Sequence, residues 1–103
     1  MNTLEAIFTR RSIRRFKPDP VSGPLVGQLL KAGMYAPSAG NQQPWHFVVL
    51  DDRVLLDAVP AFHPHAAMCR EAACAILVCA DPALEKHPGM WVQDCAAATQ
   101  NIL

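Results

Sequence analysis

"APSAGNQQPWHFVVL", residues 36–50, joins two kinds of chain. Its first part is turn chemistry throughout: Pro37 and Pro44 stiffen the backbone, Gly40 and Asn41 tolerate tight turns, and nothing from Pro37 to Pro44 carries a charge. Its second part, Trp45 to Leu50, is apolar, aromatic and β-branched, and predicts a strand. "ACAILVCA", residues 73–80, is a second apolar run, and its lack of alternation predicts a strand buried on both faces. A rigid, uncharged loop that feeds a strand presents backbone N–H and C=O groups suited to a flat heterocycle. The same composition would also serve as an ordinary helix-to-strand connection.

Helices are expected around these strands. Leu4, Ile7 and Phe8 share one face of a short helix over Leu4–Thr9, with Thr3 as its cap. Ser22 caps a second helix that carries Pro24 in its first turn, can staple Val21 onto Val26, and runs to about Ala36. A weak helix covers about Arg53 to Ala58, followed by a His- and Pro-rich loop, "PAFHPHAAMCRE". The stretch "GMWVQDCAAATQNIL", residues 89–103, predicts a helix with Trp91, Val92, Cys95, Ala96, Thr99 and Ile102 on a wide apolar face. That helix carries no stop signal before Leu103. Two strands are too few for a stable sheet, so residues 1–103 read as the N-terminal portion of one longer α/β domain, completed by another segment or subunit.

The chain is 51% hydrophobic and 17% charged with a formal net charge of zero, which excludes a disordered chain and gives no global pull toward nucleic acid or anionic membrane. Neither a signal peptide nor a membrane-length apolar run is present, so a cytoplasmic protein is expected. Cys69, Cys74, Cys79 and Cys95 lack a C-x-x-C spacing and read as small buried residues in a reducing compartment. His63, His65 and Cys69 could make a small metal-binding module, although they lack a second anchoring cluster.

Five of the nine basic residues, Arg10, Arg11, Arg14, Arg15 and Lys17, fall in "TRRSIRRFKPDP", residues 9–20. Guanidinium forks with the interleaved Ser12 hydroxyl match a phosphate dianion, and alternation aims Arg10, Ser12 and Arg14 to one side. A solvated basic loop is the plainer alternative. Nucleic acid fits poorly, since no series of stacking aromatics accompanies the cluster.

"TRRSIRRF", "APSAGNQQPWHFVV", "EAACAILVCAD" and "WVQDCAAATQNIL" together resemble, in order and spacing, the FMN-dependent nitroreductase family, from Leu4 to Leu103. The resemblance implies an α+β fold, an α/β sandwich with a central, mainly antiparallel sheet flanked by helices, in a homodimer. It implies FMN binding through Arg10, Ser12 and Arg14, with Arg11 contributing. Arg10 and Ser12 map to the phosphate and ribityl end, and Arg14 to the ring near N1 and O2. Pro37, Ser38, Ala39 and Asn41 map to a loop reaching the same flavin from the other subunit, the helix from about Gly89 maps to the dimer interface, and His65 maps near a flavin or substrate contact. The implied activity is a ping-pong transfer of hydride from NAD(P)H to nitroaromatics, quinones or other flat acceptors, with no catalytic side chain required. Family members continue beyond the length of this chain, with a Gly-rich segment and a late basic residue, so the implied site is partial. A flavin-binding protein without turnover, or an inactive fragment, is the alternative within the same resemblance.

Overall fold

The computed structural model describes residues 1–103. Strands β1 (Trp45–Leu50) and β2 (Ala75–Ala80) pair antiparallel, with Trp45 opposite Ala80 and Leu50 opposite Ala75. Both strands lie where the apolar runs predict them. β2 is not buried on both faces, however: it is half-buried, and the paired residues Val48 and Leu77 are 43% and 44% exposed. A run without polar residues cannot reveal which face has a partner. The covered face carries Phe47 and Val78, paired with each other, which pack on a core of Ala36, Trp45 and Ala98.

Helices α2 (Gly23–Met34) and α4 (Trp91–Ile102) pack against each other beside this face. Small residues make the close approach possible. A Cβ on Gly33 would lie 3.0 Å from the Phe47 ring and 3.1 Å from Ile102 Cδ1, so α2, β1 and α4 meet at a point where any side chain would have to displace its neighbours. The Asn101 side-chain amide donates to the Ala32 carbonyl at 3.0 Å and ties the two helices. Ser22 caps α2 as expected, accepting from the Leu25 N–H at 3.3 Å.

Other local expectations are corrected by identifiable partners. Helix α1 (Thr3–Thr9) is capped by Asn2, not Thr3: the Asn2 side chain accepts from the Glu5 N–H at 2.9 Å while Glu5 accepts from the Asn2 N–H at 3.0 Å. Helix α3 spans Arg53–Phe62, past the expected end at Ala58 and through Pro60. Its buried Leu56 and Val59 anchor it, and His63 N–H still closes onto the Val59 carbonyl beyond the proline. The expected loop after it contains a 3-10 turn, Pro64–Arg70. In α4 the buried positions are Asp94 and Ala98, whereas Trp91 and Val92 are 43% and 54% exposed. Of the rest of the expected face, Cys95, Thr99 and Ile102 are half-buried and Ala96 is exposed, so the covered stripe keeps part of that face and is shifted to include Ala98 and a carboxylate with polar partners.

Only 10 of 103 residues are buried, and α1 buries none: Leu4, Ile7 and Phe8 are all open to solvent. Exposed apolar surface on this scale favours association. Light scattering is therefore expected to give a mass above that of the monomer at micromolar concentration, and a monodisperse monomer would contradict this. At the helix crossing, Gly33→Val is expected to lower stability by about 1–3 kcal/mol through overpacking. Gly27→Ala, in the same helix but with open space around its Cβ, is expected to raise stability by about 0.5–1 kcal/mol. Thermal melts of the two variants check the pair.

Candidate functional site

Between α1 and α2 the chain forms an arm without helix or strand. No backbone N–H from Arg11 to Val21 donates to a backbone carbonyl. Arg11 folds back, its Nη1 donating to the carbonyls of Phe8 at 3.1 Å and Arg10 at 2.8 Å, which satisfies the end of α1. Arg10 and Arg14 meet no carboxylate. The two ion pairs of the chain, Arg53–Asp57 at 3.1 Å and His46–Asp81 at 3.4 Å, lie elsewhere.

Arg10, Arg11, Ser12, Ile13 and Arg14 line a cavity of about 360 Å³ whose other walls are mostly apolar, among them Phe16, Met68, Ala72 and Leu103, so five consecutive residues of the arm border it and not the alternate ones expected. The wall opposite the arm is held by a residue that sequence reasoning passed over. Arg53, at the start of α3, donates from Nη2 to the Cys69 carbonyl at 2.7 Å and from Nη1 to the Ala72 carbonyl at 2.9 Å, with its Nε on Asp57. Nothing in the sequence around Arg53 marks this, since both acceptors are main-chain groups many residues away.

The loop after α2 is built differently. Ala39–Asn41 forms a 3-10 turn in which Gly40, Asn41 and the following Gln43 have positive φ of 55°, 54° and 48°. Ser38 Oγ accepts from the Gln43 N–H at 3.1 Å, and Asn41 Oδ1 accepts from the Gln43 side chain at 3.1 Å. The loop is clamped from beneath by Asp94, 3% exposed, which accepts from the Ala39 N–H at 2.9 Å and from Gln42 Nε2 at 2.7 Å. Buried Gln42 in turn accepts at Oε1 from the N–H groups of Lys86 at 2.8 Å and His87 at 2.9 Å. The His87 ring fills the space beside Gly40, where a Cβ would sit 2.5 Å from Nε2. Both Gln42 and Asp94 escaped the sequence reading; the available signal was a lone carboxylate inside an otherwise uncharged helix. Beside them, burial and then the Asp94 carboxylate push the Cys95 thiol above its ordinary value, with Cys79 and Glu85 adding to the effect.

The structure thus gathers Arg10, Arg11, Ser12 and Arg14 at one cavity, and Pro37, Ser38, Ala39 and Asn41 on one clamped loop. It does not bring the two groups together within one chain. The loop is tied to Asp94 near the start of α4, whereas Leu103, just past its end, borders the arginine cavity. Nine residues of helix separate these points by about 14 Å. His65 is exposed, does not line the arginine cavity, and stacks edge-on with His63 at 6.3 Å between ring centroids. Cys69 faces the arginines, and no three His, Cys, Asp or Glu side chains are grouped to hold a metal. The metal-module alternative therefore has no geometric support.

Comparison with known proteins bears on both halves of this arrangement. The profile of the nitroreductase family matches residues 7–71, a span that includes the arginine arm and the clamped loop. A Methanothermobacter thermautotrophicus protein named "Putative NADH dehydrogenase/NAD(P)H nitroreductase" is 50% identical over 103 residues, covering 100% of this chain and 54% of its own. The crystal structure of a "Putative NADH Oxidase" from Clostridium acetobutylicum superposes with a TM-score of 0.91 at 47% identity, over 93% of this chain and 58% of its own. A Desulfovibrio desulfuricans structure described as "a putative nitroreductase in complex with fmn" superposes at 0.88 with 37% identity, over 99% of this chain and 60% of its own. The chain therefore spans little more than half the length of the curated relative it matches. With most of the chain inside the family profile, and with the same path of helices and strands as these solved structures, the chain belongs to the nitroreductase family.

Proposed function

We propose that the chain binds FMN between two copies of itself and acts as an NAD(P)H-dependent oxidoreductase on nitroaromatics, quinones or similar flat acceptors. The observation that carries this reading is the arginine cavity. Arg10, Ser12 and Arg14 all line it, and neither arginine is paired with a carboxylate. That donor set fits a phosphate monoester: positive charge, forked N–H donors and a hydroxyl. The plainer alternative of a solvated basic loop does not account for a cavity whose far wall is separately braced by Arg53.

The separation of arm and loop along α4 supports a shared site. Trp91 and Val92 leave an apolar strip on the outer side of α4, and two-fold pairing across that helix would bring the arm of one copy toward the loop of the other. In this arrangement Arg10 and Ser12 hold the phosphate, Arg14 meets the edge of the ring on which negative charge develops upon reduction, and Ala39 to Asn41 present main-chain groups to the ring. Bound there, FMN supplies a two-electron carrier between NAD(P)H and the acceptor. The side chains orient and polarise, which agrees with the absence of any nucleophile–base pair in the cavity.

Two outcomes are expected. The protein should take up FMN, and NADH or NADPH should bleach the bound flavin absorbance anaerobically; failure to take up added FMN would refute the reading, and uptake without bleaching would leave a binding protein in place of an enzyme. Arg10→Ala should mainly release FMN, since the phosphate charge is the same in both redox states. Arg14→Ala should lower the two-electron potential by about 30–60 mV, from loss of about 1.5–3 kcal/mol in the reduced state alone. Redox titration beside fluorescence binding separates these roles, and a parental potential in Arg14→Ala would remove the one given to Arg14.

A further inference from the structure

We infer that Asp94 and Gln42 are positioning residues for the cofactor, acting through the main chain of Ala39 to Asn41; this rests on the proposed role of that loop at FMN. The donor–acceptor pattern permits only one arrangement. Lys86 and His87 offer N–H groups, so Gln42 must turn Oε1 toward them and Nε2 toward Asp94. Asp94 therefore receives a donor on each oxygen, one from Gln42 and one from the Ala39 N–H. No Lys, Arg or His pairs with this buried carboxylate. Its charge is compensated by those two donors and by its place in the first turn of α4, where the helix dipole favours an anion. Burying such a charge is tolerable only while the donors stay aimed at it. The carboxylate thus selects one loop conformation, in which Gly40 and Asn41 turn outward with positive φ. Because α4 also carries the apolar strip proposed to face the partner copy, association and loop geometry are coupled through the same helical turn.

The polarity of the network supplies the test. In Asp94→Asn, the new amide opposes its NH₂ either to that of Gln42 or to the Ala39 N–H, or else forces Gln42 to flip its NH₂ onto the Lys86 and His87 N–H groups, so one donor always faces another. Adding Gln42→Glu removes the conflict. The amide now at position 94 accepts from the Ala39 N–H and donates to the carboxylate now at position 42, whose other oxygen accepts from Lys86 and His87, with total charge unchanged. In the full chain, Asp94→Asn is expected to weaken FMN binding by about tenfold and to shift the visible absorption of bound flavin. The double variant should recover affinity within about twofold, together with the parental spectrum. Gly33→Val, destabilising at the helix crossing, should leave the spectrum parental, which distinguishes positioning from general loss of stability. Parental affinity and spectrum in Asp94→Asn, or a double variant no better than the single, would overturn the inference. Should Asp94→Asn fail to fold, the double variant decides alone: affinity near parental supports the inference and lost affinity overturns it. Hydrogen exchange at the Ala39 amide keeps the two proposals separable. If the parent takes up no FMN, the functional reading fails, while deprotection of that amide in Asp94→Asn and its restoration in the double variant still support loop positioning; unchanged protection refutes it.

Discussion

A carboxylate without a cation, buried in the first turn of α4, fixes what can stand around it. Asp94 draws the Ala39 N–H and the Gln42 amide inward, and each bond to the charged oxygen contributes about 1.5–3 kcal/mol. From there the constraint spreads along the chain. Gln42 holds the Lys86–His87 segment, His87 packs over Gly40, and the chain beyond Gln43 enters β1 through buried Pro44 and Trp45. The Asp81 N–H donates to the Pro44 carbonyl at 2.7 Å, so the start of β1 and the end of β2 are closed by the same neighbourhood. The clamped loop is thus anchored through buried Gln42, while Gly40, Asn41 and Gln43 stay at the surface.

The arginine arm follows the opposite logic. It has no main-chain hydrogen bonds of its own between Arg11 and Val21, no buried side chain, and no acidic partner for Arg10 or Arg14. In a chain of zero net charge, this leaves a concentrated local field beside a wall that Arg53 braces through two carbonyls. Fixed cations without anions leave their attraction available to a ligand rather than spending it within the fold. The loop is thus tied down by hydrogen bonds and carries no charge, the arm is charged and largely free of such bonds, and α4 spans the distance between them.

Much of this was legible in the sequence wherever the signal is local. Trp45–Leu50 and Ala75–Ala80 follow from apolar runs, α2 from Ser22 and Pro24, and the basic border of the cavity from the clustering of Arg10, Arg11 and Arg14, although alternation does not select which side chains line it. What stayed hidden depends on partners far along the chain. Asp94 and Ala39 are 55 residues apart, and Arg53 and Ala72 are 19 apart. No periodicity encodes either bond. The shifted face of α4 has the same origin: hydrophobicity alone places Trp91 and Val92 inward, but the stripe that turns inward is the one whose carboxylate finds donors. The cap of α1 shows the local limit, since Asn2 and Thr3 are both competent and only the reciprocal bond with Glu5 decides between them.

The central claim is that arm and loop act on one ligand from two different copies. Subunit complementation tests it most directly. Arg10→Ala removes the charged half of the site, and Gly40→Val, which drives a side chain into His87 at a positive-φ position, removes the neutral half. Each variant alone should bind little FMN. Mixed and allowed to exchange, they should recover about a quarter of the parental binding sites, because random pairing makes half the dimers mixed and each mixed dimer carries one intact site. If the mixture binds no more FMN than the two variants measured separately, arm and loop do not meet across two copies, and the account of the site is wrong.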